Sequence, residues 1–122
     1  MPTEPQPVTV SEVVQRAVEV CDPEGVSDAL TSLLERYEDD DVPISAVPVI
    51  EDQLDVAVNE IDDPDTTPEL AMARAVILYL AHRRDELNAG REELLRLAVR
   101  AELDGDPPPV LADWLVEQGV SW

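Results

Sequence analysis

Carboxylates are the only plentiful reactive groups in this chain of 122 residues: 28 Asp and Glu stand against eight basic residues, all of them Arg, with one His, one Cys and no Lys. Glu35 and Glu38 form a Glu-x-x-Glu pair, and after 21 further residues Glu60 and Asp63 form Glu-x-x-Asp. Residues three apart share a face of a helix, so two facing helices could turn all four acids toward one point. Such a set suits Mg²⁺, which prefers an octahedral shell of oxygens and bridges carboxylates to the phosphates of a nucleotide.

This spacing resembles the signature of the all-α nucleoside triphosphate pyrophosphatases, a helical family that hydrolyses nucleotides with Mg²⁺. The resemblance covers residues 35 to 63. It implies Mg²⁺ as cofactor and Glu35, Glu38, Glu60 and Asp63 as its ligands. The chain departs from the family in two ways. The basic residues with which that family contacts phosphate have no counterpart nearby, and Asp40 and Pro64 put Glu38 and Asp63 at helix ends rather than within helices.

Other chemistries are excluded more firmly. Without Lys there is no phosphate-loop lysine, Schiff base or Ser-Lys dyad, and Gly25, Gly90, Gly105 and Gly119 are too scattered to cradle a phosphate. One His and one Cys cannot make a common structural zinc site within one chain. None of the five serines stands in a Gly-x-Ser-x-Gly elbow. His82, beside Arg83 and Arg84, is expected to complement the negative end of a helix, and Cys21 to be a small buried hydrophobe. The cluster Asp62, Asp63 and Asp65 lacks the spacing of a calcium loop.

The formal charge is −20, and residues 1–73 carry 19 acids with only Arg16 and Arg36. So much like charge strains a compact state unless salt screens it. The composition resembles that of proteins from cells with a molar-salt cytoplasm; a high-GC genome gives a similar bias. Acidic turns can also present carboxylates where a nucleic-acid-binding protein expects phosphates, making a decoy inhibitor. Asp39, Asp40, Asp41, Asp62, Asp63 and Asp65 are the candidate contacts for such a partner. Five Arg lie between residues 83 and 100, but Glu92 and Arg96 stand at i, i+4, so direct nucleic-acid binding is not expected. The remaining candidates for partner contact are Trp114 and Trp122, since Trp is enriched at the energetic centres of interfaces.

These residues must be positioned by helices. Glu69 to Leu87 is apolar at every position from Leu70 to Ala81 except Arg74, which predicts a buried central helix. Thr67 is its expected side-chain cap, Pro68 its first residue and Asn88-Ala89-Gly90 its stop. Before it, a Pro-rich arm over residues 1–8 precedes a helix from Thr9 or Ser11 to Cys21, with Thr9 and Glu12 as a capping box and Val10, Val13, Val14, Ala17 and Cys21 inward. Val26, Leu30, Leu33, Leu34 and Tyr37 mark a second helix. Ile50, Leu54, Ala57, Val58 and Ile61 mark a third, expected to begin between Ser45 and Pro48. After the central helix, Leu94, Leu97, Ala98 and Ala101 point to a fifth over 91–103, and Val110 to Gln118 to a short sixth.

The expectation is therefore one all-α domain over residues 9–122, a bundle or short array of five to six helices around the segment 67–87. No stretch is apolar enough for a membrane span, and a soluble, cytoplasmic protein is expected. Because the groups most catalysis uses are missing, the leading functional reading is a non-enzymatic protein acting through a protein partner or a homodimer, without a cofactor. The decoy inhibitor and the Mg²⁺-dependent hydrolase are the alternatives.

Overall fold

The computed structural model describes residues 9–38, 50–63, 67–83 and 89–122. They form six helices and no β-strand: α1 (Val10–Cys21), α2 (Asp28–Tyr37), α3 (Ile50–Ile61), α4 (Pro68–His82), α5 (Arg91–Glu102) and α6 (Pro109–Glu117). None of these helices is long and apolar enough to cross a membrane. The expected arm at 1–8, the acidic run Asp39 to Asp41, the expected start of α3, Asp65 and Asn88 lie outside the described residues.

α4 organises the rest, packing against each of the other five helices. Its buried residues Leu70, Met72, Ala73, Ala75, Val76, Ile77, Leu78, Tyr79 and Leu80 lie on all sides. An apolar sequence without a polar face is stable only when neighbours cover it. Each fully buried Leu or Ile contributes roughly 1.5–3 kcal/mol of transfer free energy, so the cover is also the main source of stability. Arg74, the one charged residue in the run, is half-buried and reaches outward to Asp55 and Glu51 of α3.

α1 starts where its capping residues predict. The Thr9 hydroxyl accepts from the Glu12 N–H at 3.2 Å, and the Glu12 carboxylate accepts from the Thr9 N–H at 3.1 Å. Val10, Val13, Val14, Ala17 and Cys21 are buried as expected, joined by Val18 and Val20. The β-branched content does not prevent the helix, because the reciprocal cap and a buried face outweigh a weak propensity.

Four expectations need correction. Thr67 occupies the N-cap position of α4, but its side chain makes no capping bond; the hydroxyl donates to Asp62 at 3.0 Å and so ties α4 to the end of α3. α4 ends at His82, five residues before Leu87, with Arg83 leaving helical geometry and its N–H closing on Tyr79. Val26 is not part of the α2 stripe: it precedes Ser27, the N-cap, and stands 76% exposed. In α5 the buried face is Leu94, Leu95, Ala98 and Val99, whereas Leu97 is half-buried and Ala101 exposed. That face is rotated by about one residue because α5 is clamped between α4 and α1.

α6 closes with a Schellman motif: Gly119 takes a positive φ of 75°, and the Val120 N–H donates to Leu115 at 3.0 Å. Val120 is buried, and this contact turns the chain end back onto the core.

Candidate functional site

Of the four carboxylates expected to share a cation, Glu35 and Glu38 are exposed at the end of α2 and Glu60 and Asp63 at the end of α3. α2 and α3 do pack together, and Arg36 of α2 reaches across to α3. Its guanidinium donates to the Ala57 carbonyl at 3.4 Å and forms an ion pair with Glu60. Among the described residues, no three His, Cys, Asp or Glu side chains are grouped so as to hold a metal ion. Glu60 is thus a partner of Arg36, and its carboxylate serves to hold α2 against α3.

Asp62 has two tasks of its own. Its carboxylate accepts from the Asp63 N–H at 2.8 Å and from the Thr67 hydroxyl at 3.0 Å. It therefore shapes the turn between α3 and α4, a role that needs no partner molecule.

A comparable turn stands between α1 and α2, where Asp22 accepts from the N–H groups of Val26 and Ser27 at 3.1 and 2.8 Å. Ser27 then caps α2 by accepting from the Leu30 N–H and donates its proton to Glu69 of α4. Asp22, Val26, Ser27 and Glu69, together with Cys21, Trp114 and Gln118, line a cavity of about 400 Å³. Burial pushes the Cys21 thiol well above its ordinary range; Arg91 opposes that shift, while Glu69 and Asp22 add to it. A thiol held protonated in this way is a poor nucleophile and a poor metal ligand.

Trp114 is half-buried between the buried Leu111 and Leu115 and packs on the core, as does Trp122. Both residues thus have a place within their own domain and are partly exposed. His82 is exposed at the last position of α4, the negative end of that helix.

A second concave surface joins α4 to the entry of α6. A groove of about 480 Å³ runs between α4, through Pro68, Ala71, Arg74 and Ala75, and the segment formed by Leu103 and residues 108–111 at the entry to α6. Ala71 and Ala75 stand one turn apart, and their small side chains leave a trough along the helix. Opposite them, Pro107 is buried while Pro108, Pro109 and Val110 stand exposed. Val110 is 49% exposed. The three consecutive prolines were the available signal: Pro at the first helical position fixes where α6 begins, and the rigid approach holds Val110 away from the core.

Fold and site together define an all-α protein with an open apolar groove and a strongly acidic surface. Compared with protein-family models, curated proteins and solved structures, the chain matches none.

Proposed function

We propose that this chain is a non-enzymatic interaction protein that engages a protein partner through the groove between α4 and α6. The observation that carries this reading is the groove itself. Its walls are apolar apart from Arg74; Ala75 and Leu111 form a buried floor, and Val110 stands 49% exposed at the edge. Apolar surface gathered in one concavity favours whatever covers it, by roughly 25 cal/mol for each Å² removed from water. The chemistry of the chain agrees with a binding role. It has no Lys and a single His, exposed at a helix end, and its one thiol is buried and protonated.

The test is capture from extract of the source cell at native ionic strength, with the wild type and Val110→Asp compared side by side. Val110 lines the groove and is half exposed, so the substitution changes the surface without opening the core. A stoichiometric partner held by the wild type and lost by the variant supports the reading. A partner held equally by both moves the interface elsewhere, and no specific partner at native salt rejects the reading.

A further inference from the structure

Deepening that reading, and resting on it, we infer that the groove between α4 and α6 takes the apolar face of a short amphipathic helix whose other face is basic.

The helical form of the occupant follows from the groove walls. The groove is walled by helix and turn, and among the described residues there is no strand edge to which an extended peptide could add. Instead, Ala71 is half-buried and Ala75 forms the buried floor along α4, with Leu103 and Val110 opposite. Such a trough accepts the ridge of another helix. From Pro68 to Ala75 the wall extends about 10 Å at 1.5 Å per residue, or two turns. The complementary partner therefore presents large apolar residues at i, i+3 or i+4, and i+7.

The charge of the occupant follows from the rim. Asp104 and Asp106, both exposed, stand in the turn between the lining residues Leu103 and Pro108. On the other side Arg74 is engaged by two acids, Glu51 and Asp55. The first turns of α4 and α6 also reach the groove, and each helix N-terminus contributes roughly half a positive charge. Four carboxylates outweigh one guanidinium and two half charges, and the whole chain carries a formal charge of −20. A basic partner is drawn in by this field and an acidic one is repelled.

The experiment uses three labelled 14-residue peptides and fluorescence anisotropy, at a salt concentration where circular dichroism shows the full chain folded. One peptide has Leu at i, i+3, i+4 and i+7 with Lys and Arg elsewhere; the second has the same composition with the Leu spacing scrambled; the third replaces the basic residues by Glu. The first should bind at least tenfold more tightly than either control. Val110→Asp should abolish the preference although it adds negative charge, which separates docking from general attraction of a cation to an acidic protein. Asp104→Asn with Asp106→Asn should weaken the first peptide several-fold and leave the protein folded.

Equal binding of the scrambled peptide, or of the acidic one, overturns the inference. So does sedimentation showing that the groove is filled by a second copy of this chain and opened by Val110→Asp. If no peptide binds but the extract still yields a partner lost in Val110→Asp, the occupant class is wrong and the interaction reading stands; if both fail, both fall.

Discussion

Arg91 donates from Nε to the main-chain carbonyl of Val20, 2.7 Å away, so the first residue of α5 satisfies a carbonyl in the last turn of α1. The same guanidinium donates from Nη2 to the Gln118 side chain at 2.7 Å, just past the end of α6. A cation at a helix N-terminus would ordinarily be unfavourable; here it is held by an orphan carbonyl at a helix C-terminus. Arg91→Met should lower stability by about 1.5–3 kcal/mol, the usual worth of hydrogen bonds to a charged group, and Gln118→Ala by less, about 0.5–1.5 kcal/mol. Urea unfolding followed by circular dichroism measures both.

The Thr67 hydroxyl serves Asp62 rather than the first turn of α4. Thr67→Val and Asp62→Ala should therefore each cost about 1 kcal/mol, and the double variant clearly less than their sum. If the hydroxyl capped α4 instead, Thr67→Val would cost as much in the Asp62→Ala background as in the wild type.

Cys21 introduces a dependence on alkaline pH. The unfolded thiol ionises near pH 8.5, whereas burial keeps the folded thiol protonated beyond that. Below pH 8.5 both states hold the proton and stability does not depend on this group. Above it the unfolded chain releases a proton that the folded chain keeps, so stability should fall by up to about 1.4 kcal/mol per pH unit. Subtracting the pH profile of Cys21→Ala from that of the wild type isolates this slope, and an unchanged difference from pH 8 to 10 would reject it.

Salt acts in opposite directions on two features. It weakens the exposed pair Arg36–Glu60 and the half-buried pair Arg74–Asp55, each worth at most about 1 kcal/mol, and it relieves the repulsion among 28 acids facing eight Arg. The repulsion is the larger sum. The melting temperature should rise as KCl increases from 0.1 to 1 M, over which the Debye length shrinks from about 10 to about 3 Å. Glu60→Gln should lower the curve slightly without changing its direction.

Substitutions on α5 distinguish its two faces. Leu95→Ala removes a fully buried side chain and should cost about 2–5 kcal/mol, while Ala101→Glu, on the exposed face, should stay within about 0.5 kcal/mol. Thermal unfolding of the pair decides whether the inward face includes Leu95 or Ala101.

That comparison also marks how far the sequence could be read. The helices themselves were legible because each has a distinct signal: a capping box at Thr9, an apolar run without a polar face after Pro68, and proline before α6. The inward face of α5 was not, since Leu94, Leu95, Leu97, Ala98, Val99 and Ala101 are all apolar and two faces fit the period equally well. Contact with α4 and α1 chooses between them. The end of α4 is not legible, because Arg83 and the residues after it are compatible with a helix and no Gly or Pro appears before Gly90. The groove was marked only by the prolines before α6, for another reason. Its two sides, Ala71 with Ala75 and Leu103 with Val110, lie about thirty residues apart, and apolar residues so separated read as core until the packing leaves one of them, Val110, uncovered. The carboxylate spacing was legible as a pattern, but the pattern does not include Arg36, whose guanidinium meets Glu60 in the folded chain.

The core contains no Phe and is filled by Val10, Val13, Val14, Ala17, Leu30, Ala57, Ala73, Ala75 and Ala98 among others. Alanine gives up almost no rotamer freedom on burial and valine little, whereas long side chains lose up to about 2 kcal/mol each. This chain therefore orders its interior at a low entropic cost, and short side chains let the helix axes approach closely. A modest net gain per buried residue can then hold together a molecule whose surface charges push it apart.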